Sequence, residues 1–488
     1  MALAGICVMG LALRLYKLGA QSFWFDETVE VDVASRHLLD IVTWQGINCD
    51  ALPPLSHYFF HFWLTLGSGE FWIRLLPALF GTATIYVIYR LAAHIFGRKQ
   101  ALIAALLLAV SPFHLWYSQE ARPYAFLMFF SLSGMLYYLR AMERGGRVNC
   151  SLYVLCNLFA MYNHPYAAFI VLIQFVYAMA AKRAWPNEAK LPLVYFMAMA
   201  ALYAPWIYIS LGIAGRDIQD SKPLGVSALV YTFYAYTFGF SVGPSVAELR
   251  LNPSVSTMTP YIPLLAPLAA VYGFLFLRGV LVDRDQQIRR NLLLVAWIII
   301  PMLGAFALAK LVESKYNARY VCAGMPVYIL ILAHGAATLR KHWRSAAVLF
   351  IVLSSLYSIH NYYFDSRYHK ADVKHAADYV IRNEVPSDII YVCSALPFKW
   401  YYTQRYSGQT DLTLLEIPLI KKQRVEKEQQ IIGSGQYKRL WLVMNATWEN
   451  HPNGRMLKSM FDRDYLLESR RDFTGLHVYK YRGLRKIK

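Results

Sequence analysis

Two adjacent carboxylates, Asp26 and Glu27, close the run Phe23-Trp24-Phe25-Asp26-Glu27. Three aromatics before them place the pair at an interface, where an unpaired carboxylate costs free energy. A carboxylate in such a place can take the proton of an attacking hydroxyl as general base. Neighbouring residues point in different directions, so the two do not form the facing pair of a hydrolase. One would do the proton work while the other orients or binds. A second cluster, Tyr117-Ser118-Gln119-Glu120-Ala121-Arg122-Pro123-Tyr124, falls at a turn between two apolar runs. The planar fork of Arg122 suits a phosphate, and Glu120 stands beside it; a salt bridge at headgroup level is the competing use of both. Lys315, Arg319 and Tyr320 mark another helix entrance and would complete an anion clamp. His57, His61 and His164, with Tyr124, are candidates to line an acceptor cavity, although packing and hydrogen bonding suit these histidines at least as well. No His-Glu-x-x-His spacing is present, so no metal ligand is assigned and no cofactor is required, with a divalent metal left open.

The elements that carry these residues are membrane helices. The chain has 488 residues, of which 57% are hydrophobic and only 16% charged. Its mean hydropathy is +0.32. Soluble domains carry about 25% charge, so the apolar surface here exceeds what a water-soluble core hides. The net charge of +19 would suit nucleic acid, but the basic residues fall in short loops between apolar runs. Anionic membrane lipids are therefore the expected partners, and nucleic acid is not. The 36 tyrosines and 12 tryptophans fit interfacial aromatic belts, and six cysteines make no disulfide framework.

Apolar segments near residues 2–18, 71–94, 101–117, 122–140, 150–165, 166–182, 191–212, 261–279, 291–310, 320–339 and 346–363 give about eleven transmembrane helices. Five sets of basic residues then share one face: Arg98 and Lys99; Arg140, Arg144 and Arg147; Lys182, Arg183 and Lys190; Arg284, Arg289 and Arg290; Arg340, Lys341 and Arg344. The bias of Lys and Arg toward the inside makes that face cytoplasmic, which turns the external loop 19–70 and the 118–122 turn outward. Residues 53–66 begin with Pro53-Pro54 and are too short to span, so a helix lying in the interface is expected. Residues 225–242 read the same way. From 364 onward apolar runs shorten and charge rises. A helix at Val373–Asn383 and strands at Asp388–Cys393, Arg439–Met444 and Leu476–Tyr481 suggest a small α/β domain, with no catalytic motif. The expected organisation is a transmembrane catalytic domain over 1–363 and a soluble extracytoplasmic domain over 364–488, used for support or for acceptor recruitment.

FWFDE at 23–27, PPLSHYFFHFW at 53–63, RLLPALFG at 74–81 and YSQEARPY at 117–124 together resemble the bacterial protein O-mannosyltransferase-like group. These are GT-C glycosyltransferases of family 39, related to the lipid A aminoarabinose transferases. The resemblance runs through the helical region, including Arg319-Tyr320 and Pro326, and does not reach the C-terminal domain. It implies a multi-pass enzyme of the cytoplasmic (inner) membrane, with its active site and C-terminal domain on the periplasmic or extracellular side. The implied reaction is inverting transfer of a sugar from a polyprenyl-phosphate donor to a hydroxyl on an envelope glycan, lipid or protein. Asp26 matches the family's acidic residue proposed as base, and Glu27 its companion. Glu120 and Arg122 match the charged turn associated with the donor. One departure is Leu52, where many members have His or Lys before the proline pair; a contact made there must come from another group, such as His57 or Asp50. The competing reading is a transporter or flippase of a lipid-linked anionic glycan. It lacks the internal repeats and interrupted midplane helices that transporters often show.

Overall fold

The computed structural model describes residues 1–48, 52–180, 191–213, 225–252, 254–282, 284–312, 316–386, 388–393, 395–405, 411–414 and 439–484. Cys49, Asp50, Lys182, Arg183, Lys190 and Lys315 lie outside the described residues. The chain forms two compact units. The first comprises Met1–Leu18, Glu30–Gly243 and Tyr261–Asn361, and the second Gly19–Val29, Pro244–Pro260 and Tyr362–Lys488.

The first unit is helical. Seven described helices are long and apolar enough to cross a membrane, or eight if one bent pair is a single span. This corrects the expected count of about eleven. Length is the main reason, because a straight crossing needs about 20 apolar residues. Ala2–Leu15 has 14 residues, Ala168–Ala180 has 13, and Arg147–Asn163 has 17. The 101–117 segment is the bent pair, Arg98–Ala109 and Pro112–Ser118, which meet at 59°. Pro112 cannot donate to the preceding turn, and the Ser111 hydroxyl caps the new helix by accepting from His114 N. Buried Arg14 donates to the Ala109 and Leu108 carbonyls at the break, where Leu108 O also accepts from Ser111 N, and its Nη2 lies 2.6 Å from His114 Nδ1. A guanidinium thus occupies the negative end of the interrupted helix.

Loop 19–70 holds three short helices, Phe25–Ala34, Leu38–Asn48 and Leu55–Leu64. The last is 10 residues long, and Ser227–Phe238, within the other expected interfacial run, is 12. Trp63, near the end of Leu55–Leu64, stacks on Trp72 in the following long helix, with ring centres 4.7 Å apart and planes 8° from parallel. Each indole N–H donates to the other residue's carbonyl, at 2.8 and 3.2 Å. Elsewhere Ile262–Leu281 and Met325–Ala337 approach at backbone distance. A Cβ on Gly279 would lie 2.2 Å from Ile331 O, and one on Gly335 2.0 Å from Leu275 O. Such contact between small residues suits helix packing in lipid, where dispersion and close fit replace the hydrophobic effect.

Basic side chains gather at one end of this bundle. Lys99 donates to Ala337 O, Arg290 to Ile95 O and Arg278 to Thr338 O. Glu143 lies between His94 and Arg290. Cations at helix C-termini are favourable there.

The second unit holds a five-stranded sheet in the order β2-β1-β3-β5-β4, made of β1 Asp388–Val392, β2 Asp411–Leu414, β3 Arg439–Asn445, β4 Tyr465–Phe473 and β5 Leu476–Leu484. β1, β2 and β3 are parallel; β5 pairs antiparallel with β3 and β4. The helix Val373–Asn383 precedes them. β2 and β4 were not expected from sequence. β4 reads YLLESRRDF and is mostly exposed, so it lacks the apolar alternation of a half-buried strand. The five described cysteines are free.

Candidate functional site

The helix Phe25–Ala34 begins in the second unit and passes to the first at Glu30. Asp26 and Glu27 occupy its first turn, where carboxylates complement the helix dipole. Within the second unit Glu27 is fully buried and lies 3.0 Å from Lys370 Nζ. It also accepts from Trp24 N, and the Lys370 ammonium stands 5.7 Å from the Trp24 ring. Phe23 N donates to the Tyr401 hydroxyl at 2.8 Å, and Lys374 N to Ser22 Oγ at 3.0 Å. The FWFDE segment is therefore anchored by Glu27. Asp26, half-buried, is the other carboxylate of the pair.

In the first unit the donor candidates come together around Glu30, a residue the sequence reading passed over. Glu30 is wholly buried. Its Oε2 lies 3.2 Å from Arg122 Nη1 and its Oε1 2.9 Å from His57 Nδ1, the latter contact bent away from a linear hydrogen bond. Ser56 adds a hydrogen bond. Burial alone would raise the Glu30 pKa, but His57, Arg122 and Ser56 outweigh it and hold the group below the usual carboxylate value. Glu30 is thus ionised and bridges His57 to Arg122.

Arg122 in turn faces Tyr124, its guanidinium carbon 6.0 Å from the ring centre; Arg319 approaches the same ring to 5.8 Å and that of Tyr320 to 5.4 Å. Two guanidinium groups on one aromatic ring make a cationic site with an apolar floor. His164 stands in the turn between two helices, its ring 5.5 Å from Tyr320, and its Nδ1 accepts from Tyr166 N. Burial first, then the charges of Arg122 and Arg319, push its pKa down to about 3, so it is a neutral hydrogen-bonding group. Buried Glu120 accepts from Trp116 Nε1 at 3.0 Å. His61 bonds through Nδ1 to Ala34 O at 2.8 Å and ties its helix to Phe25–Ala34. Among the described residues no three His, Cys, Asp or Glu side chains come together to hold a metal ion, and no step below runs through one.

The fold that carries this site is shared with solved structures. Residues 51–209, less than half of the chain, match the family profile described as dolichyl-phosphate-mannose-protein mannosyltransferase. ArnT from Cupriavidus metallidurans in the apo state is 11% identical, with a TM-score of 0.61 over 98% of this chain and 97% of that one. The same protein bound to undecaprenyl phosphate is 13% identical, with a TM-score of 0.57 over the same shares. The Archaeoglobus fulgidus oligosaccharyltransferase in complex with Zn and sulfate is 14% identical, with a TM-score of 0.53 over 98% and 73%. No curated protein sequence matches the chain. The chain shares the fold of these solved structures over nearly its whole length.

Proposed function

We propose that the chain transfers a sugar from a polyprenyl-phosphate donor to a hydroxyl of an envelope glycan, lipid or protein. The observation that carries this reading is the pair of guanidinium groups, Arg122 and Arg319, on the Tyr124 ring with neutral His164 beside them. Two fixed cations can stabilise the charge that develops on a leaving phosphate, and a neutral histidine adds a hydrogen bond without a further buried charge. Both the mannosyltransferase profile over 51–209 and the likeness to a protein captured with undecaprenyl phosphate support a lipid-linked donor.

The acceptor oxygen attacks the anomeric carbon from the face opposite the phosphate. The bond from that carbon to the phosphate oxygen breaks, and polyprenyl phosphate leaves with the electron pair. Asp26, half-buried in the first turn of its helix, takes the acceptor's proton. One displacement inverts the sugar. The basic end at Lys99, Arg278 and Arg290 supports a cytoplasmic assignment for that end, which turns the end carrying Arg122, His164 and Arg319 to the periplasm or exterior of an inner membrane.

Purified protein in lipid nanodiscs with radiolabelled polyprenyl-phosphate-linked mannose, glucose and aminoarabinose tests the proposal. Release of polyprenyl phosphate from at least one donor is expected. Binding of the lipid without release under any acceptor condition would overturn transfer and favour lipid transport.

A further inference from the structure

His57 lies in the first turn of Leu55–Leu64, three residues after the buried Pro54 that starts the helix. A proline pair fixes the entry backbone, and His57 is left 1% exposed against Glu30. An ionised carboxylate can only accept, so Nδ1 of His57 carries the proton of that contact. The ring nitrogen on the other side, Nε2, is buried and meets no hydrogen-bond partner among the described residues. Buried polar atoms are ordinarily satisfied, and one held in a fixed orientation without a partner is suited to receive one from outside the chain.

We propose that His57 Nε2 receives a hydroxyl group of the donor's sugar. The inference rests on the donor reading above and adds the residue that recognises the sugar. Three observations point to a hydroxyl. Glu30 meets both His57 at 2.9 Å and Arg122 at 3.2 Å, so it holds the His57 ring in one orientation. A hydroxyl both donates and accepts, so it can pair with Nε2 whether or not that nitrogen carries a proton, whereas a phosphate oxygen only accepts. Glu30 also joins His57 directly to Arg122, one of the two cations at the Tyr124 ring. A sugar one bond away from its phosphate would meet both groups together. His57 is thus a binding and positioning residue, and Glu30 orients its ring.

The test separates sugar recognition from phosphate recognition by using two ligands, undecaprenyl phosphate alone and polyprenyl-phosphate-linked sugars. In His57→Asn the amide nitrogen stands near the place of Nδ1 and still donates to Glu30, while nothing replaces Nε2. In His57→Gln an amide reaches the Nε2 position. H57N should bind the sugar-linked lipid about three- to tenfold more weakly, the loss expected for one hydrogen bond, with affinity for the sugar-free lipid unchanged. H57Q should recover part of the difference. Thermal midpoints equal to wild type would exclude a folding cause. Equal weakening for both lipids would overturn the proposal in favour of a phosphate contact, and so would no weakening for either. A wild-type protein that binds the two lipids equally would also overturn it. Absence of turnover with the sugar preference and its loss in H57N intact would defeat only the transferase reading.

Discussion

Among the acidic side chains of the Phe25–Ala34 helix, environment separates roles that sequence leaves joined. Glu27 and Glu30 are both fully buried and paired, one with Lys370 and one with Arg122 and His57, whereas Asp26 is half-buried. Asp26→Asn keeps the size and removes the proton acceptor, so sugar transfer should fall by ~10²–10⁴-fold while donor binding and insertion persist. Near-normal turnover would end its candidacy as base. Glu30 supports a different prediction. Its folded pKa lies below the ordinary 4.5, so its stabilisation is present at neutral pH. That contribution is lost as pH falls through the folded value, because the unfolded carboxylate takes up its proton first. Glu30→Gln should therefore lower stability by about 3–5 kcal/mol at pH 7, the cost of breaking a buried ion pair, and the gap to wild type should narrow as pH falls below 4.5 and through the folded value. Thermal unfolding in detergent across that range would show it; a gap independent of pH would rule out ionised Glu30 as the cause. The sequence made Asp26, Glu27 and Arg122 visible because charges among aromatics are conspicuous. Glu30 was not visible, since an acid amid Thr-Val-Glu-Val-Asp reads as one more polar helix position until His57 and Arg122 arrive from distant segments.

For the elements, the apolar runs were legible but their use was not. Hydropathy reports that a segment avoids water, and Ala2–Leu15 and Ala168–Ala180 do so while remaining too short to cross. The Pro112 break was written in the sequence, whereas the guanidinium of Arg14 that completes it comes from about a hundred residues earlier. Of the second unit's strands β1, β3 and β5 were legible, whereas the short β2 and the polar β4 were not. Helix contact supplies a direct test. Gly273 and Gly279 lie in one helix, yet a Cβ on Gly273 meets nothing within 4 Å while one on Gly279 falls 2.2 Å from a backbone oxygen. Gly279→Ala should destabilise by at least ~1–3 kcal/mol through overpacking, and Gly273→Ala should be neutral or stabilising. Equal thermal midpoints for the two variants would contradict the close approach.

On the scale of the whole molecule, orientation follows from where charge accumulates. Lys99, at the basic end, donates to Ala337 O. Exposed Asn317 stands at the start of the segment that runs through Ala318–Ala337, hence at the other end of that span. In a cysteine-free background, Lys99→Cys should resist a membrane-impermeant maleimide in intact cells, and Asn317→Cys should react. The reverse pattern would invert the proposed topology, and reaction at both would break the span between them. The paired arginines lie at one end of the helical unit, so this result also tests the side from which the proposed acceptor would come.

The stacked indoles of Trp63 and Trp72 have an optical consequence. Two identical chromophores 4.7 Å apart and 8° from parallel do not absorb independently; their transitions mix into a shared excited state, and face-to-face stacking lowers the pair's ultraviolet absorption below that of two separate indoles. Trp63→Phe and Trp72→Phe should each abolish this hypochromism, although each removes only one of twelve tryptophans. Replacing exposed Trp343 (69% accessible) should leave it intact. The junction between the short Leu55–Leu64 helix, which carries His57, and the long helix after it would then report its own integrity in the native spectrum, without a label.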